Sequence, residues 1–277
     1  MSSLLNIIPI RGVRLSPGLV VSLIIVGFWI ICAILGSRIT PYDPLAVSVI
    51  ERLQPPSAAH WFGTDKLGRD VLSRVMAGSR SVVEISLSAT AIAITIGTIF
   101  GLITGYFRGV VSELIMRVFE ALLAVPVVLL AMIAIVAVGA SSLTVLLVIG
   151  VVFVPVVART VRAAVLAERN RSYIHAALMR AESMPYILFR EILPNITGTI
   201  VVEATVRLGY AIFVTATLSF LGLGVQPPTP DWGLSIYESY GMLSAGFWWP
   251  VAFPALAIAS LVISINIIAE KTVIDVR

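Results

Sequence analysis

Along the chain, long apolar runs alternate with short polar stretches, and the runs have the length of membrane-crossing helices. About 20 apolar residues carry a helix across the hydrocarbon core, and six segments qualify, near 19–36, 82–106, 114–138, 142–166, 197–223 and 248–269. The pattern predicts an all-α, polytopic membrane protein with six transmembrane helices. An even number of spans puts both termini on one side, and Arg11, Arg14, Lys271 and Arg277 favour the cytoplasm for both. Residues 106–113 and 167–196 then lie inside, with 37–81, 139–141 and 224–247 outside. The inner loop contains Arg169, Arg171, Arg180 and Arg190. The outer segment carries Arg38, Arg52, Lys66, Arg69, Arg74 and Arg80, partly offset by Asp43, Glu51, Asp65 and Asp70. Charge bias therefore supports the orientation only in part.

Composition agrees with a bilayer environment. Hydrophobic residues make up 58% of the chain and charged residues 12%, with a mean hydropathy of +1.02. A soluble domain carries about 25% charged residues, so too little polar sequence is present to build a solvated shell. Seventeen of the 19 basic residues are arginine. No basic stretch is interleaved with aromatics, so the net charge of +4 fits basic loops beside anionic lipid rather than nucleic acid. Cys32 is the only cysteine and His60 and His175 the only histidines, which excludes an internal disulfide and a Cys- or His-based metal centre. Arg11 and Arg14 precede the first apolar run as in a signal peptide. That run ends in Leu35-Gly36-Ser37-Arg38 without a small-residue cleavage pattern, so an uncleaved first span is expected.

Within the runs, Gly97, Gly101 and Gly105 form a smooth stripe for close helix approach, either inside the bundle or against another subunit. Pro126, Pro155, Pro250 and Pro254 each remove a backbone donor and favour kinks. Glu203 and Arg207 stand four apart on one helical face and can pair. They would either line a translocation path or form a structural pair near the inner interface. Glu84 starts the second span and receives no role.

The inner segment 168–195 is polar at first and then amphipathic, with Ile174, Ala177, Leu178 and Ala181 on one face. Pro185 is expected to end or bend its first helix and Pro194 to mark the start of the next span. On physical grounds alone it is either a docking loop for a partner or a helix lying on the lipid surface. Gly63-Thr64-Asp65 and Gly68-Arg69-Asp70 have turn-and-cap chemistry, with Asp70 placed to cap the segment that follows. A phosphate-binding loop needs G-x-x-x-x-G-K-[ST]. Neither Lys66 nor Lys271, the only lysines, has that context.

The segment around His175-Ala176-Ala177 resembles the EAA loop of the permease subunits of type I ABC importers. Ala176 and Ala177 match, as does Ile192-Leu193-Pro194-Asn195. His175 replaces an acid, and Ala181 replaces the turn glycine, so a helical or shifted turn is expected there. His60 to Arg74 resembles the H-x-F-G-T-D-x-L-G-R-D-V-L-S-R run of C-type permeases of the dipeptide, oligopeptide and nickel group. Leu218 to Gly233 resembles that group's L-S-F-L-G-L-G-V-Q-P-P-x-P-x-W-G signature. The resemblance runs in register from about residue 17 to 270, and Glu270-Lys271-Thr272-Val273-Ile274-Asp275 departs from the usual tail.

The resemblance implies an anchor helix and outer loop over 1–80, a transporter domain over 81–270, and a coupling loop at 168–195. Coupling contacts would fall on Tyr173, His175, Ala176, Ala177, Leu178, Arg180 and Ala181. Gly63, Thr64, Asp65, Gly68, Arg69, Asp70, Gln226, Pro227 and Pro228 would shape the outer gate. Implied partners are a homologous B-type permease, two ABC ATPase subunits or domains, an extracytoplasmic solute-binding protein and the inner membrane. No cofactor is expected in this chain, since ATP and Mg would be bound by the ATPases. Peptides are the expected cargo, with nickel chelates or another small solute as the alternative. A secondary transporter would show repeated halves, and none is seen. An intramembrane Ser/His enzyme lacks a histidine within any span.

Overall fold

The computed structural model describes residues 16–276, so Arg11, Arg14 and Arg277 lie outside the described residues. Helices dominate, and among the described residues the only β-type pairing is a single bridge between Thr64 and Asp70. Helix α1 (Pro17–Leu35) is capped by Ser16. Helix α2 (Val71–Tyr106) has 36 residues and is capped by Asp70, whose Oδ2 accepts from the Ser73 amide at 2.8 Å. At 1.5 Å per residue it measures about 54 Å, against about 30 Å of hydrocarbon. The expected span 82–106 is thus the later part of a longer helix. Its first turns carry Arg74 and Arg80, which lower the hydropathy without opposing helix formation.

The third expected span is not one helix. Residues 114–138 divide between α3 (Val110–Leu123) and α4 (Val127–Val138), bent by 94°. Pro126 lacks an amide hydrogen and restrains the residue before it to extended backbone. The kink expected there becomes a break, and α3 bears the exposed Glu113, Arg117 and Glu120. Five single helices are long and apolar enough to cross a membrane, and the bent pair would make a sixth.

Helix α5 (Ser142–Glu168) runs parallel to α2. A Cβ built on Gly97, Gly101 or Gly105 would lie 2.6, 2.6 or 2.8 Å from the Cβ of Val157, Val161 or Val165. The glycine stripe is therefore an intrachain contact, and the main core forms around it with Phe153, Ile149 and Ile135. Helix α6 (Ser172–Met179) follows α5. Pro185 does not end that helix. It occupies the first turn of α7 (Met184–Tyr186), where its missing donor is no loss. From Met184 the chain continues through a π-helical turn, Ile187–Ile192, into α8 (Leu193–Phe220) as one 37-residue rod. The wider turn accommodates Pro194, whose ring would otherwise meet the carbonyl four residues back. Helices α9 (Trp232–Ser239) and α10 (Trp249–Val276) complete the chain. A second core joins α1, α2, α9 and α10 through Trp29, Trp232, Trp249 and Leu261.

Candidate functional site

Two ends of the bundle carry the sequence-predicted residues. At one end the 36–70 loop folds over α2 and meets α9. Gly68 has φ +76, and a Cβ there would overlap the Ser48 carbonyl, so both its conformation and the close crossing strand require glycine. Residues 48–54 run beside 63–67: the Ser48 amide donates to Leu67, Leu53 to Asp65 and Thr64 to Gln54, at 3.0–3.2 Å. The Thr64 hydroxyl donates to the Glu51 carbonyl, and Trp249 Nε1 donates to the Thr64 carbonyl at 3.0 Å.

Beneath this crossing lies a buried charge cluster. Arg69 Nε donates to Asp65 Oδ2 and Arg69 Nη2 to Glu238 Oε2, each at 2.6 Å. Arg74 sits 3.7 Å from Asp65 and 3.5 Å from Glu238 and donates to the Pro44 carbonyl. Two guanidinium groups and two carboxylates alternate and neutralise each other, which is the condition for holding charges out of water. His60 Nδ1 lies 2.8 Å from Asp70 Oδ1, with Glu51 at 4.0 Å from the other ring nitrogen. Asp231, fully buried, caps α9 by accepting from Leu234 at 2.9 Å. Burial pushes its carboxyl up to about 6, against the pull of the Leu234 and Gly233 amides, Ser219 and Arg74. Gln226 holds the Gly224 carbonyl at 3.0 Å, and the Pro227–Pro228 peptide is cis. Asp65, Arg69 and Asp70 are therefore tied inside the chain, while Gln226, Pro227 and Pro228 stay exposed.

At the opposite end α6 is braced on its inner face. Ile174 and Ala177 are buried against Ile187 and Ile192 of the π-helical turn. Tyr173 donates to Glu168 at 2.7 Å, and burial with this bond raises the phenol above its ordinary pKa. Arg169 donates to the Tyr106 carbonyl at 2.7 Å, joining the ends of α2 and α5. Ala181 keeps the left-handed turn, φ 55, that glycine would favour. Its amide donates to Leu178 at 2.9 Å, and Glu182 donates to Ala177 at 3.2 Å. That is the double bond pattern of a Schellman C-cap, so the expected helical or shifted turn does not form. Arg180 lies 3.3 Å from Glu182 and 3.4 Å from Glu191. His175, Ala176, Leu178 and Arg180 face outward, and Met179 is 89% exposed.

Between the ends, Glu203 Oε1 and Arg207 Nε on α8 approach to 2.9 Å without hydrogen-bond alignment. The guanidinium also lies 4.8 Å from the Tyr210 ring centre and 5.8 Å from that of Phe153.

Residues 97–272 match the family described as binding-protein-dependent transport system inner membrane component. The chain belongs to that family. Among relatives, the dipeptide transport system permease protein DppC of Alkalihalophilus pseudofirmus is 38% identical, the match covering 91% of this chain and 82% of its own. The glutathione transport system permease protein GsiD of Pectobacterium atrosepticum is 35% identical over 94% of this chain and 85% of its own. An inward-facing structure of the MetNI methionine ABC transporter shares the fold, with a TM-score of 0.61 at 18% identity, covering 74% of this chain and 96% of that one. This inner membrane component is thus a permease subunit of an ABC importer and not itself an enzyme.

Two residues of this transport component escaped sequence reading. Glu238 completes the charge cluster from α9, and Met179 is the most exposed large hydrophobic side chain of α6. A surplus of arginine over free acid at 69–74, once Asp70 is spent on capping, signals that a distant carboxylate is needed. It does not say which one.

Proposed function

We propose that this protein forms one half of the translocation path of a peptide importer, with a homologous B-type permease as the other half. The relatives are named for dipeptide and glutathione transport, and both cargoes are small peptides. Two ATPase subunits or domains would hold ATP and Mg and dock on α6, which would place that end and both termini in the cytoplasm. A solute-binding protein would meet the 36–70 and 222–248 loops on the other side.

Met179 carries the proposal. It is 89% exposed at the tip of a helix whose opposite face is fixed in the core by Ile174 and Ala177. A displaced α6 pushes first on the π-helical turn at Ile187–Ile192 and then on α8, with Glu168–Tyr173 and Arg169–Tyr106 carrying the same motion into α5 and α2. Turns of π-helix are frequent at functional positions in helices. The test is uptake of a labelled dipeptide by liposomes holding the complete importer. Accumulation that requires ATP, the binding protein and this chain is expected. Uptake driven by an ion gradient without ATPases, or of a nickel chelate in place of dipeptide, would overturn the assignment.

A further inference from the structure

Helices α8 and α10 flank an open recess of about 210 Å³ lined by Gly209, Tyr210, Phe213, Val262 and Asn266. It lies beside the middle of α8's apolar run, yet its lining is not that of a lipid-facing groove. Tyr210 and Phe213 are each 53% exposed, and Asn266 is exposed as well. Among the described residues no hydrogen bond is found to the Tyr210 hydroxyl or the Asn266 side-chain amide. A groove between α1 and α10 offers the contrast, since it is lined by Val21, Ile25, Ile263 and Ile267, with serines as the only polar side chains. Hydrocarbon suits that groove. In hydrocarbon, an unpaired amide costs several kcal/mol, so the α8–α10 recess must look onto water or a polar occupant.

Gly209 makes the recess possible. A Cβ there would lie 3.2 Å from Asn266 Oδ1, so glycine lets the amide come up to the α8 backbone. Below, Arg207 stacks under Tyr210 at 4.8 Å and is neutralised by Glu203 at 2.9 Å. The recess therefore joins a neutral amide, which can both donate and accept, to two aromatic rings over a cancelled charge. Its volume is below the 300–1,000 Å³ of sites for drug-sized ligands and suits one side chain rather than a whole peptide.

We infer that this recess is a subsite of the permease itself, in which Asn266 pairs with a peptide bond of the cargo while Tyr210 and Phe213 receive one side chain. The inference rests on the peptide-importer proposal above. A neutral subsite of this kind holds cargo weakly enough to release it, as conduction requires. It also gives the permease a preference for aromatic side chains apart from that of the binding protein.

The experiment uses the complete importer in liposomes, with dialanine and phenylalanyl-alanine as probes. Uptake, ATPase stimulation by the binding protein, and co-purification of the partner permease are all measured. Asn266→Leu lowers uptake of both dipeptides about tenfold while ATPase stimulation persists. Tyr210→Leu lowers the preference for phenylalanyl-alanine about fivefold, and Tyr210→Phe, which keeps the ring, retains it. Unchanged uptake and preference in both leucine variants would refute the subsite. Loss of the partner permease from the purified complex would refute it too, by making the recess a subunit interface. If wild-type liposomes import neither dipeptide, the peptide proposal itself has failed, an outcome distinct from both.

Discussion

Arg69 Nη2 donates to Glu238 Oε2 at 2.6 Å across 169 positions of chain. The contact ties the 63–70 turn to α9 and, with Arg74, makes that end of the bundle one unit. It also accounts for the weak charge bias along the sequence. Of the six basic residues in 37–81, Arg69 and Arg74 are cancelled by Asp65 and Glu238, and Arg80 pairs with Glu84 at 2.7 Å. Removing one member of a buried ion pair leaves its partner uncompensated and costs about 3–5 kcal/mol. Glu238→Ala should lower the unfolding midpoint of the detergent-solubilised protein far more than Glu84→Ala, whose pair is 61% exposed on both sides. Equal shifts would contradict the cluster's structural role.

Asp231 gives stability a pH dependence of known sign. Its folded-state pKa is raised from 3.8 to about 6, so the folded protein binds the proton more tightly than the unfolded chain. The carboxylate's penalty is absent below about pH 4, grows between 4 and 6, and is complete above 6, where it reaches about 3 kcal/mol. Asp231→Asn keeps an N-cap side chain without the charge. Relative to wild type, it should gain stability progressively from pH 4 to pH 7. A constant difference across that range is the opposing result.

The α2–α5 contact leaves no room for a side chain at Gly101, where a Cβ would meet the Val161 Cβ at 2.6 Å. Gly101→Ala should destabilise by about 1–3 kcal/mol. Adding Val161→Ala should recover part of the loss, which a double-mutant cycle reads as coupling. Strict additivity would place the strain elsewhere.

Ala181 holds φ 55 at the end of α6, and an L-residue there costs about 1–2 kcal/mol relative to right-handed backbone. Ala181→Gly should therefore slow amide exchange over 172–182, and Ala181→Val should speed it. Faster exchange in the glycine variant would show that the turn is not strained.

Apolar run length made the helical class and most spans legible, and the Gly97, Gly101 and Gly105 spacing marked a close helix contact, which the structure places between α2 and α5. Pro126 marked the site of the α3–α4 break but not its size, because a proline states that a hydrogen bond is missing and not how the chain then turns. Pro185 misled because proline opens helices as readily as it closes them. Around His175-Ala176-Ala177, sequence pointed to the proposed coupling loop but not to the orientation of its side chains. Ala177 is buried and Met179 exposed, a division set by packing against Ile187 and Ile192, which follow a turn that short-range periodicity does not cross. Glu238 was invisible for the same reason, since its partners lie in a different part of the chain.

Met179 is where the functional proposal is most exposed to test. In the complete importer, Met179→Asp places a charge at the centre of the proposed ATPase contact while leaving the Ile174 and Ala177 face untouched. The decisive measurement is dipeptide uptake by reconstituted liposomes, read beside the amount of ATPase that co-purifies. Loss of uptake together with loss or uncoupling of the ATPase, in a protein that unfolds at the wild-type temperature, is the predicted result. Wild-type uptake with a full complement of coupled ATPase would contradict it.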